Sequence, residues 1–195
     1  MTNIFALFLI AVLSMTVACN RPRGNEKSGS TTGESQAPQG MADNSQGGAQ
    51  MSSADHNFVM NAAKGGKAEV ELGSLADQQA TNPAVKQFGE RMVKDHTEAN
   101  NRLQKIAQQK GMTLPNDLPD DANQLKERLT SMKGPEFDRT NMQNMVEDHQ
   151  KDVAEFQKEA DQGQDTDIKN FAATTLPTLK EHLQLAQSDL SKIKK

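Results

Sequence analysis

The pentapeptide MVKDH occupies residues 92–96, and a near copy, MVEDH, occupies residues 145–149. The chain holds only 4 histidines, and two of them close this same apolar-apolar-charge-Asp-His phrase. Met92 and His96 are four apart, as are Met145 and His149, and side chains four apart share one face of an α-helix. Each phrase therefore places a histidine on the stripe that a helix turns inward.

Outward from the first phrase, Val85, Phe88, Met92, His96, Ala99, Leu103 and Ile106 follow in steps of three and four, which predicts a long helix. Thr81-Asn82-Pro83 supplies its cap and first-turn proline, and Gly111 stops it. Around the second phrase, Met142, Met145, His149, Val153, Phe156 and Ala160 predict a helix from Gly134-Pro135 to about Asp161. Upstream, Phe58, Ala62, Gly65, Glu69, Leu72 and Ala76 mark a helix from about Ala54 to Ala80. Downstream of Thr166, Ile168, Ala172, Thr175, Leu179, His182, Ala186 and Leu190 mark the last one, in which Pro177 is expected to produce a kink or a split. The stretch DANQLKERLTSM between the second and third long helices predicts a short additional one.

Short connections join the first two long helices and the last two, so each pair is expected to form an antiparallel hairpin. The connection from Gly111 to Gly134 is much longer. It can return the chain along the bundle and make the two middle helices parallel, which is the ferritin-like arrangement. The expected fold is all-α: a ferritin-like four-helix bundle with a short extra helix between helices two and three, spanning residues 54–195.

Composition agrees. Of the 195 residues 34% are hydrophobic and 4% aromatic, with no Trp or Tyr, so the core must be assembled from Leu, Val, Ala, Met and a few Phe. Such a palette suits helices better than sheets. The 22 basic and 26 acidic residues interleave to a net charge of -4, which lacks the collected basic surface that nucleic acid requires.

Residues 1–18, MTNIFALFLIAVLSMTVA, form an apolar run too short to span a membrane comfortably and placed where a secretory signal peptide sits, although no basic residue precedes Arg21. Cys19, the single cysteine, follows Val17 and Ala18 as in a lipoprotein cleavage site, with Thr16 in the place usually taken by Leu. A lipid anchor at Cys19 is the expected reading, and a soluble secreted protein with a spare thiol is the alternative. One cysteine excludes an intramolecular disulfide. Residues 19–53 are polar and rich in Gly, Ser and Gln, the composition of a flexible tether. The expected location is the bacterial cell envelope, on the periplasmic side and anchored to the outer membrane, with the membrane as the partner reached through Cys19.

The strings AAKGGKAEVELGSLADQQATNPAVKQFGERMVKDHTEAN, FDRTNMQNMVEDHQKDVAEFQKEA and FAATTLPTLKEHLQLAQ resemble the ferritin-like domain-of-unknown-function family 4142, predicted envelope proteins. The resemblance runs from about Asp55 to Leu190 and implies a ferritin-like fold and an exported location, without an established activity. It also implies an aromatic residue where this chain has Asn141, and a histidine in the short middle helix where this chain reads DDANQLKERL.

Glu69 interrupts the stripe of the first helix, and His182 lies on the stripe of the last. With a rise of about 1.5 Å per residue, Glu69 and His96 lie roughly 18 and 22 Å from the turn that joins their helices, a good match. His149 and His182 lie roughly 21 and 28 Å from theirs, a poorer one. Glu69, His96, His149 and His182 are thus candidate metal ligands, a borderline oxygen-nitrogen set suited to Fe, Zn or Mn. Asp95 and Asp148, each about 100° around the helix from its neighbouring histidine, are candidates to orient a histidine on another helix. Met92 and Met145 offer a softer set for Cu, although methionine on a core stripe is usually packing. No Glu-x-x-His motif occurs, which disfavours a ferroxidase-type di-iron centre.

The KGGK of residues 64–67 lacks the spacing of a phosphate loop, and the Gly65-Gly66 pair suggests close helix contact instead. No Ser-His-Asp or Cys-His set can be assembled, so no catalytic residue is assigned. Two functions follow: binding or sequestration of a transition metal in the envelope, or a non-catalytic interaction or scaffolding module in which the same histidines form a structural polar layer.

Overall fold

The computed structural model describes residues 51–193, and the expected signal segment, almost all of the tether and Cys19 lie outside them. The described residues form five helices and no strand: α1 (Ser53–Gln79), α2 (Pro83–Gln109), α3 (Asp120–Ser131), α4 (Gly134–Gln162) and α5 (Thr166–Lys192). The fold is the expected ferritin-like bundle, with α3 as the short extra helix. None of these helices is long and apolar enough to cross a membrane.

Local chemistry sets the helix ends. Ser52, Asn82 and Asp165 cap α1, α2 and α5, each accepting a hydrogen bond from a backbone N–H of the first turn. Gly111 takes a left-handed φ of 68°, which ends α2 at little steric cost.

Two aspartates fix the direction of the chain. Asp138, at the start of α4, accepts from the backbone N–H groups of Thr81 and Asn82 (3.0 and 2.9 Å) in the α1–α2 turn. Asp55, at the start of α1, accepts from those of Gln164 and Asp165 (3.2 and 2.8 Å) in the α4–α5 turn. Each hairpin turn is therefore held by the first turn of a helix from the other hairpin. Consequently α2 and α4 both run away from the α1–α2 turn and are parallel, while α1 and α5 run the opposite way. The Gly111–Lys133 crossover makes this possible by carrying the chain back along a bundle about 40 Å long. Its helix α3 packs on α1 and α4 through buried Leu129, the Lys126–Glu71 ion pair (2.6 Å) and hydrogen bonds from Gln79 to the Leu129 and Met132 carbonyls.

Pro177 does not split the last helix, since α5 runs unbroken past it. Pro177 and Ala173, whose carbonyl loses its donor, both face solvent, so water can satisfy the freed acceptor. The glycine contact also differs from the expectation. Gly65 faces open space and Gly66 packs on Asn100, whereas the tightest approach of α1 to α2 is at Gly73 and Gly89. A Cβ on Gly89 would lie 2.6 Å from the Gly73 carbonyl oxygen, so only glycine permits this spacing.

The core has two apolar halves. One, at the α1–α2 turn, contains Leu72, Phe88, Met92, Phe137 and Met145; the other, at the α4–α5 turn, contains Phe58, Leu103, Phe156, Phe171 and Leu179. Burial of each such side chain contributes about 1.5–3 kcal/mol. Between the halves lies a layer of polar side chains.

Candidate metal centre

Each long helix sends one polar side chain into that layer: Glu69 from α1, His96 from α2, His149 from α4 and His182 from α5, all of them 5% exposed or less. The mismatch in depth expected for His149 and His182 does not occur, because their ring nitrogens Nε2 and Nδ1 lie 3.3 Å apart. Two physical reasons account for it. The turn residues 163–165 are not helical and add no regular rise, which leaves a difference of about 4 to 5 Å between the two Cα depths. Helical side chains also lean toward the N-terminus of their own helix, and in an antiparallel pair these leans converge here. The same convergence brings His96 Nδ1 to 2.8 Å from Glu69 Oε2.

The hydrogen bonds around the rings decide where their protons sit. Burial holds all three histidines well below their usual range, at about 4, so each ring is neutral at pH 7 and carries one N–H. His149 spends that proton on Nδ1, donating to the Met145 carbonyl at 3.0 Å. His182 spends its proton on Nε2, donating to Asp95 at 3.0 Å. His96 Nδ1 lies 2.8 Å from Glu69 Oε2, and a carboxylate oxygen that close favours the proton on Nδ1. The nitrogens left over, His96 Nε2, His149 Nε2 and His182 Nδ1, carry bare lone pairs, and His96 Nε2 is buried without any partner. One nitrogen from each of the three rings lies within 4.8 Å of the other two.

This geometry suits a metal. Tetrahedral Zn²⁺ with Zn–N bonds of about 2.0–2.1 Å separates its nitrogens by about 3.3–3.4 Å, close to the 3.3 Å between His149 and His182. Outer partners that accept the other N–H of each ring, as Glu69, Met145 O and Asp95 do, characterise metal-binding histidines. The edge of the Phe88 ring closes the layer against His149 and His182, with centroids at 6.2 and 6.4 Å.

Of the two aspartates proposed to orient a histidine, Asp95 occupies that position across the α2–α5 contact. Asp148 does not. It pairs with Lys151 at 3.3 Å on a partly exposed flank, because the side of α4 that carries it faces the groove between α1 and α3, where no histidine waits. Its place near the layer is taken by Asp152, which lines a small void together with Glu69 and His96. Burial raises both carboxyls above their usual range, and the charge of Glu69 raises Asp152 further. Asp152 lies three residues after His149 on the same helical face, a spacing visible in the string HQKD that the sequence reading passed over. Met92 and Met145 are buried in the adjoining apolar half. His56 is exposed at the start of α1.

No curated protein matches the chain at a significant level. Among solved structures, the fold is similar to a DUF305 fragment from Deinococcus radiodurans, with a TM-score of 0.65 and 11% identity over 73% of this chain and 98% of that one. It is likewise similar to a DUF305 protein from Streptomyces coelicolor, with a TM-score of 0.62 and 13% identity over 71% of this chain and 91% of that one. Residues 40–188 match the family described as domain of unknown function DUF4142, and the chain belongs to that family.

Proposed function

We propose that this is an exported, lipid-anchored envelope protein that binds a transition metal ion through His96, His149 and His182. The observation that carries this reading is the convergence of three unprotonated imidazole nitrogens with no donor among them. Left alone, lone pairs facing each other at 3.3 Å repel; a cation removes that cost. Three neutral imidazoles favour Zn²⁺ among the candidate metals, with Fe²⁺ accommodated and Mn²⁺ less well suited. Glu69 Oε2, Met145 O and Asp95 then steady the rings, and Glu69 Oε1, 3.4 Å from His149 Nε2 and without a hydrogen-bond partner, offers a fourth ligand. The apolar segment before Cys19, and the similarity in fold to a Streptomyces coelicolor protein described as secreted, support export. A lipid on Cys19 and the polar tether place the bundle at the periplasmic face of the outer membrane, where it sequesters metal.

The test is elemental analysis of the full chain purified without an affinity tag, together with calorimetric Zn²⁺ titration. The wild type should bind one Zn²⁺ per chain and the His96→Ala/His149→Ala variant none. Equal metal uptake by both would overturn the assignment and leave a scaffolding bundle with a structural polar layer. A Cys19→Ala variant should move from the membrane fraction to the soluble one.

A further inference from the structure

We infer that the ion enters and leaves the imidazole cluster between α2 and α5, through a cavity whose mouth carries the carboxylates of Asp95, Glu98 and Glu181. The inference rests on the three-histidine reading and adds to it the route by which a hydrated divalent cation reaches the rings.

A cavity of 150 Å³, with room for several waters, lies between α2 and α5 and has His96 and His182 in its wall. His96 is 5% exposed and its Nε2 has no partner, so the inner end of the cavity meets an imidazole that still lacks a donor or an ion. The rim is formed by exposed Glu98 and Glu181 and by half-buried Asp95. Glu181 pairs with Arg91 at 2.6 Å, whereas Glu98 forms no ion pair among the described residues. Arg102, the one cation in the wall, is drawn aside over the Phe171 ring and donates to the Thr175 hydroxyl at 3.2 Å. Asp95, bonded to His182 Nε2 at 3.0 Å, joins the rim to the cluster. Two other approaches are narrower or reach no ring. The void beside Glu69, Asp152 and His96 measures 20 Å³, enough for one water. The groove of 610 Å³ between α1, α3 and α4 has no histidine in its wall and touches the layer at Glu69 and Asp152.

The α5 wall of the cavity is also built to yield. Pro177 has no N–H, so the turn beside Thr178 and shortly before His182 lacks one backbone hydrogen bond. Thr174 and Thr175 donate their hydroxyl protons back to the Asn170 and Phe171 carbonyls at 2.8 and 2.7 Å, bonds that favour bending of a helix. A slight bend there carries His182 away from His149 and opens the cavity onto the cluster, where the ion exchanges its waters for nitrogens. The rim carboxylates raise the local concentration of cations at the mouth and so the rate of uptake.

The probe is Co²⁺, whose visible absorption strengthens in a tetrahedral site, mixed with the full-length protein in a stopped-flow spectrometer; release is followed after excess chelator is added. Thr178→Phe, which narrows the cavity, should slow uptake and release alike by about tenfold and leave affinity unchanged, because neither end state is altered. Pro177→Ala, at an exposed position, restores the missing hydrogen bond and should slow both by about threefold. Glu98→Lys, also exposed, should slow uptake by about fivefold at low salt and by little at about 1 M salt, where charges are screened. Ala122→Phe, in the groove between α1, α3 and α4, should leave both rates as they are. Wild-type rates in any of the first three variants, or slowing confined to Ala122→Phe, would overturn the route and leave the three-histidine site standing. A wild-type protein that develops no Co²⁺ absorption would overturn the site itself, and the route with it.

Discussion

His149 Nε2 and His182 Nδ1 stand 3.3 Å apart, and each ring has already given its only proton to an oxygen on its far side. The pair is thus poised against itself until something positive comes between. Any ion that binds there binds the folded chain and not the unfolded one.

That linkage makes metal a stabiliser. Free Zn²⁺ at 100 times its dissociation constant should add about 2.7 kcal/mol, which for a domain of this size raises the melting temperature by about 5–10 °C. Differential scanning calorimetry with Zn²⁺ and then with excess chelator checks this. A chelator-insensitive transition in the Zn²⁺-loaded wild type would contradict it.

Asp95 should matter through His182 rather than through the ion. In Asp95→Asn the amide can still hold the ring by turning its oxygen toward Nε2, but it lacks the charge that strengthens the imidazole as a donor. Zn²⁺ affinity should fall by about 10- to 100-fold while the fold is retained. Asp148→Asn, on its exposed flank, should leave Zn²⁺ affinity unchanged. Parallel calorimetric titrations of the two variants would reveal whether both behave alike, which the geometry forbids.

Glu159 supplies a pH dependence away from the histidine layer. Burial, and then the charge of Asp55, raise its carboxyl from 4.5 to about 7. Between these values the folded chain keeps a proton that the unfolded chain has released, so this group's contribution is full below pH 4.5 and is lost as pH rises through about 7. Glu159→Gln is neutral throughout. The stability of the variant minus that of the wild type, from urea midpoints, should therefore grow from pH 4.5 to pH 8. A difference that shrinks over that range would reverse the assigned sign.

Asn141 is 1% exposed, and neither its amide nitrogen nor its amide oxygen has a partner. Unpaired buried polar atoms cost about 1–3 kcal/mol. Asn141→Leu, similar in volume, should raise the denaturation midpoint by a corresponding amount without changing Zn²⁺ stoichiometry. A lower midpoint would mean that the amide is satisfied in solution.

The sequence made the architecture legible because its signals are local. Steps of three and four marked the stripes, caps marked the ends, and a long Gly111–Gly134 connection between two short turns left few topologies. Glu69 and His182 stood out as polar interruptions of apolar stripes. What could not be read was which neighbour each flank of a helix would meet. Asp95 and Asp148 hold equivalent places in their pentapeptides, yet one flank faces α5 and the other faces a solvent groove. The depth comparison for His149 and His182 erred because it treated turn residues as helix and ignored the lean of side chains. Pro177 was expected to kink or split α5, and the split does not occur because its solvent-facing position leaves the freed carbonyl to water.

The polar layer between the two oily halves has a consequence for assembly. Sliding any long helix along its axis by one turn, about 5.4 Å, would push an imidazole or a carboxyl against phenyl rings and carry a methionine or leucine into the gap it left. Each such misalignment forfeits partners that no other rung can replace, so the band works as a vernier: four rods of similar length and similar greasy texture can lock together at one setting only.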